Sequence, residues 1–132
     1  MARFRLARPA QLDLASILAT SGERWGADGR RKYAALLADA MRTVAEEPTG
    51  PLTKSRTKLR SGILSFHVRY ARRTADATKV RQPVHVLYYR VAEHDVIEIV
   101  RVLHERMDPS RHFDDLPKPS GSDVVIEDRG DR

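Results

Sequence analysis

Residues 96–108, VIEIVRVLHERMD, decide how the chain folds. The first half is an apolar run, Val96, Ile97, Ile99, Val100, Val102 and Leu103, rich in β-branched side chains. Branching at Cβ suits a pleated strand better than a surface helix. Near-continuous apolarity marks a strand covered on both faces, because a strand with one wet face alternates. Glu98 and Arg101 interrupt the run, and His104, Glu105, Arg106 and Asp108 close it in a burst of charge. The expectation is a central strand whose end presents a rigid cationic rim to another macromolecule.

The neighbouring segments supply partners for that strand. Residues 84–91 alternate, with Leu87, Tyr89 and Val91 on one face and Val86, Tyr88 and Arg90 on the other. A tight turn over 92–95 joins them to the central strand, so the two pair antiparallel. Further upstream Leu64, Phe66, Val68 and Tyr70 alternate with Ser65, His67 and Arg69, which reads as another half-apolar strand. Between these two, residues 71–83 hold Arg72, Arg73, Lys79 and Arg81 against one acid, Asp76. They are expected to form a long, mobile, basic loop. Lys54, Arg56, Lys58 and Arg60 recur at every second position, either on one side of an extended segment or in a solvated loop.

The N-terminal part reads as one strand and two helices. Residues 2–7 alternate Phe4 and Leu6 with Arg3 and Arg5. Pro9 suits the first turn of a helix, and Leu12, Leu14, Ile17 and Leu18 carry helical spacing to about residue 20. Trp25-Gly26 closes that element. A second helix is expected over 28–46, with Asp28 as its N-cap and Tyr33, Leu36, Leu37, Ala40, Met41 and Val44 as its apolar stripe. Pro48, Gly50 and Pro51 stop it. The predicted fold class is α+β, with order β-α-α-β-β-β. A helical hairpin packs on one face of a small, antiparallel-rich sheet, and the first strand lies beside the last. Residues 1–113 form the domain, and 114–132 form an acid-rich tail expected to be disordered or to fold back on the basic face.

Composition narrows the function classes. The chain has 132 residues, no cysteine and a formal net charge of +6. Thiolate metal sites and disulfides are excluded. No apolar run approaches the ~20 residues of a membrane-spanning helix. The N-terminus has no apolar core of a secretory signal, so a soluble cytoplasmic protein is expected. The positive charge favours polyanionic partners, nucleic acid or an acidic protein segment.

The residues resemble the ParE branch of the RelE/ParE toxin superfamily. The resemblance rests on Ala10 with Asp13-Leu14, Trp25-Gly26, Tyr33 and Leu37, Pro48 and Gly50, Arg60 and Gly62, and Ser65-Phe66. It is most specific in HVLYYRV from His85 and in VIEIVRVLHERMD up to Asp108. The chain departs from the family pattern at Leu64, where an arginine is common, in the longer loop over 71–83, and in the tail. The resemblance implies a toxin neutralised by a ParD-like antitoxin with an acidic C-terminal segment, acting on DNA gyrase. Relatives of the RelE type cleave messenger RNA on the ribosome instead.

Two kinds of site follow. Metal-free RNA cleavage needs groups that take the 2′-hydroxyl proton and stabilise phosphorane charge. His104, Arg101, Arg90 and Arg60 are the candidates, with Arg106 beside them. Acids at Glu105 and Asp108 would repel phosphate there. The partner-binding reading takes Trp25, Arg60, Arg90, Arg101, His104 and Arg106 as contacts, and places Tyr33 in the core. His67, His85, His94, His104 and His112 have no metal-ligand spacing, so neither metal nor cofactor is expected. A basic nucleic-acid-binding module without toxicity is the third reading.

Overall fold

The structure is a computed structural model that describes residues 3–113 and, as backbone, residues 124–127. Strand β1 (Arg3–Leu6) leads into α1 (Arg8–Glu46), followed by β2 (Lys54–Ser55), β3 (Leu64–His67), β4 (His85–Val91), β5 (Ile97–His104) and β6 (Val124–Glu127). The sheet order is β2-β3-β4-β5-β1-β6. β3, β4 and β5 form the expected antiparallel meander. β1 pairs parallel to β5, with Phe4, Arg5 and Leu6 opposite Ile97, Glu98 and Ile99.

Within α1 the chain reverses at Gly26, whose φ of 74° and ψ of −175° are not helical. In a straight helix residues 22 and 30 would stand ~12 Å apart along the axis. Here a Cβ on Gly22 would lie 3.9 Å from the Cβ of Arg30. The two limbs, 8–25 and 27–46, are therefore the two arms of the expected hairpin. Asp28 falls inside the first turn of the second arm and pairs with Arg31 at 2.6 Å and Lys32 at 2.8 Å. Hydrogen bonds from Lys32 and Arg31 hold its carboxyl down at about 2.

The second arm carries the main core. Tyr33, Leu36, Leu37, Ala40, Met41 and Val44 are buried against Phe4, Phe66, Leu87, Tyr89, Ile97, Ile99 and Val102. Each large aliphatic side chain removed from water contributes roughly 1.5–3 kcal/mol. The opposite sheet face is also covered. Ile63, Tyr88, Val100, Leu103 and Phe113 form a second cluster beneath the loop after β2 and the turn after β5. Double coverage explains the near-continuous apolarity of β5, in which only Arg101 and His104 are not fully buried.

Two expectations need correction. β3 ends at His67 rather than running to residue 70. The imidazole Nδ1 of His67 accepts a hydrogen bond from the backbone N–H of Arg69 at 3.1 Å and turns residues 68–70 into a tight coil. The loop over 71–83 is held rather than loose: the backbone N–H of Thr74 donates to Asp39 at 2.7 Å, Arg73 donates to the carbonyl of Val80 at 2.7 Å, and Ala77 is buried. Residues 124–127 of the tail pair as β6, antiparallel to β1. The rest of the tail lies outside the described residues.

Gly26 tests the hairpin. Its backbone conformation belongs to glycine almost exclusively, yet nothing lies within 4 Å of the Cβ that alanine would add. Gly26→Ala should therefore lower stability by about 1–3 kcal/mol through backbone strain alone, read from urea denaturation. An unchanged midpoint would contradict the reversal.

Candidate functional site

Arg101 sits where β5 bulges. Tyr88 pairs with Arg101 and Tyr89 with Ile99, so Val100 is the extra residue. A bulge re-aims the side chains beside it. The Arg101 guanidinium reaches the first arm of the hairpin and forks onto Asp13, with Nε to Oδ2 at 2.7 Å and Nη2 to Oδ1 at 2.8 Å. Asp13 Oδ2 also accepts the backbone N–H of Val102 at 2.9 Å. The remaining Arg101 nitrogen donates to the carbonyl of His112 at 3.1 Å.

Arg90 is committed in the same manner. Glu98 is fully buried and lies between Arg5, at 3.1 Å, and Arg90, whose Nε donates to Oε1 at 2.6 Å. Arg60 faces the other side of the sheet and donates to the carbonyl of Phe113 at 3.1 Å. Arg60 and Arg101 thus clamp adjacent carbonyls of the segment that follows β5. In the expected cationic rim at the end of β5, Arg101 is therefore tied to Asp13 while Arg106 stays outward. Asp13 pairs with Arg101, and Glu98 is shared by Arg90 and Arg5, because a guanidinium drawn into a sheet is stable only beside an acid.

Trp25 and Arg106 remain outward. Trp25 is 61% exposed at the hairpin tip, with the Arg24 guanidinium 5.1 Å above its ring. Its Cβ occupies the space that a side chain at Gly29 would need. Arg106 is exposed in the turn after β5, and its backbone N–H donates to Nδ1 of His104 at 3.1 Å. The six sequence-selected residues do not converge on one pocket. They are distributed over the hairpin tip, the two sheet faces and the end of β5.

One group was missed. β3 ends, β4 begins and β5 ends at the same edge of the meander, so His67, His85 and His104 meet there. His85 stands directly opposite His104, with ring centroids 5.6 Å apart. Tyr33 Oη lies 2.5 Å from Nδ1 of His85 and accepts the backbone N–H of Val84 at 3.2 Å. With Nδ1 unprotonated, the tyrosine hydroxyl donates its proton to it. Burial pushes His85 down to about 4, and the facing His104 and His67 add to the shift. His67 Nε2 meets Glu105 at 2.7 Å, and that contact lowers the Glu105 carboxyl. The signal lay in the register: a histidine at the last, first and last position of three consecutive strands. Among the described residues no group of His, Asp and Glu is arranged to hold a metal ion.

Residues 4–109 match the family described as the ParE toxin of the type II toxin–antitoxin system parDE. The chain belongs to the ParE toxin family, the toxin half of type II toxin–antitoxin pairs. Among its relatives is Toxin ParE1 of Caulobacter vibrioides, 33% identical over 113 residues, covering 86% of this chain and 99% of the relative. Toxin ParE1 of Mycobacterium tuberculosis is 31% identical over 111 residues, covering 84% of this chain and 97% of its own length.

Two outcomes follow from the geometry. Asp13→Ala strands the Arg101 guanidinium and the Val102 N–H together, and should cost about 3 kcal/mol in urea denaturation. Asp13→Glu should recover little, since the longer side chain misplaces the fork. For His85, an unfolded chain takes up a proton near pH 6.5, and the folded chain refuses it until about pH 4. The unfolded state binds more protons in that window, so stability should fall as the pH drops from 6.5 towards 4. In His85→Gln, melting temperatures recorded across this range should show a shallower slope. An identical slope would remove His85 from the account.

Proposed function

We propose that this chain arrests growth by poisoning DNA gyrase, and that a ParD-like antitoxin keeps it silent. The observation that carries the reading is the match to the ParE family over nearly the whole described domain. The ion pairing occupies two arginines that either kind of site would use. Arg90 and Arg101, two of the four groups a phosphoryl-transfer site would draw on, are held by Glu98 and Asp13. Cations that remain outward, among them Lys54, Lys58 and Arg106, suit the acidic C-terminal segment expected of the antitoxin. Trp25 offers that partner an apolar anchor at the hairpin tip, since large aromatic side chains dominate interface energetics. Gyrase and the antitoxin are cytoplasmic partners. Among the described residues no helix is long and apolar enough to cross a membrane.

A specific observation favours a second reading. The histidines at the end of the meander, with Tyr33 and Glu105, place acid–base groups side by side, as a RelE-like ribosome-dependent ribonuclease would require. One experiment separates the two. Induced expression without an antitoxin should stop growth and raise a DNA-damage response, and the purified chain should reduce supercoiling by gyrase and trap covalent gyrase–DNA complexes. Unchanged supercoiling, together with cleaved transcripts that disappear in His104→Ala, would replace the first reading with the second.

A further inference from the structure

The outer edge of β1 is the least expected feature of the sheet. The N–H of Ala7 points at the carbonyl of Ile99. Backbone groups alternate along a strand, so Arg3 and Arg5 also direct their N–H and C=O groups to β5. Phe4 and Leu6 direct theirs the other way. An unpaired row of this kind is a template for any extended chain. Here the row is filled: β6 runs antiparallel to β1, with Ile126 opposite Phe4 and Val124 opposite Leu6. The same register puts Glu127 opposite Arg3. Yet β6 lies beyond residue 109, where the match to the toxin family ends.

We propose that the outer edge of β1 is a docking site for an extended peptide strand, and that residues 124–127 are its resident occupant. Any partner that lengthens the sheet at β1 must first displace them. The peptide that fits runs antiparallel to β1, offers N–H and C=O groups to Phe4 and Leu6, and carries an acid in register with Arg3. Because the resident strand belongs to the same chain, its effective concentration at β1 is on the order of mM. A free peptide at micromolar concentration therefore competes poorly while the tail is intact. The proposal goes beyond the toxin reading and holds or fails without it.

Alternation gives the test an internal control. Ile126 faces Phe4 as a hydrogen-bonded pair, so Ile126→Pro deletes a ladder donor. Val125, opposite Arg5, turns its N–H outward, and proline is tolerated there on an edge strand. The probe is a fluorescent peptide of this chain's own sequence SGSDVVIEDRG, titrated against the full-length chain by anisotropy. Ile126→Pro should bind it at least about tenfold more tightly than the unaltered chain, and Val125→Pro should resemble the unaltered chain. Amide exchange at Phe4 and Leu6 should be slow in the unaltered chain and in Val125→Pro, and at least about tenfold faster in Ile126→Pro. Equal peptide binding by all three chains overturns the proposal. So do Phe4 and Leu6 amides that exchange at open-chain rates in the unaltered protein, a measurement that needs no variant to fold.

Discussion

The architecture depends on one carboxylate standing in for a missing strand. β1 accompanies β5 only as far as Ile99, and from Ala7 onward the chain turns away into the hairpin. β5 runs on to His104, so its edge would be bare at Val102. Asp13 fills that place from the helix, accepting the N–H of Val102 while Arg101 grips both of its oxygens. A bidentate guanidinium–carboxylate pair fixes direction as well as distance, and lysine at 101 would supply only a point charge. The first arm of the hairpin is thus registered to the sheet by a polar fork. The second arm is registered by packing, through Leu36, Leu37 and Val44.

The same economy governs the other acids. Glu98 is buried between Arg5 and Arg90, and Asp39 pairs with Arg42 and receives the N–H of Thr74. These three carboxylates face inward, each with arginine. Burying an ion is tolerable when a partner and further hydrogen bonds surround it. The outward surface keeps cations such as Lys54, Lys58 and Arg106. The basic character that suggests an acidic or polyphosphate partner is therefore partly a consequence of where the acids were needed.

Much of this was legible in the residues. The burial of 96–103, the meander, the stripe from Tyr33 to Val44 and the position of β1 beside β5 all follow from periodicity, because burial dictates those patterns directly. Arg90 and Arg101 were visible as charges in an apolar setting, but their partners were not. Asp13 lies 88 residues from Arg101, and no local pattern reports a contact at that separation. The histidine group was hidden for a similar reason. His67, His85 and His104 become neighbours only once the strand registers are known. The end of β3 was misread because the imidazole of His67 captures a backbone N–H that alternation assigns to a ladder.

The pairing of the first strand with the central one bears on how the protein is made. Arg5 and Glu98 are 93 residues apart, and their contact joins the beginning of the chain to nearly the end of the domain. Closing so long a loop slows folding relative to local structure. During synthesis the amino-terminal strand must wait, with its apolar side chains uncovered, until β5 has left the ribosomal tunnel. The hairpin can assemble on the nascent chain, but the finished sheet cannot, so an interrupted translation product would lack the central strand and everything mounted on it.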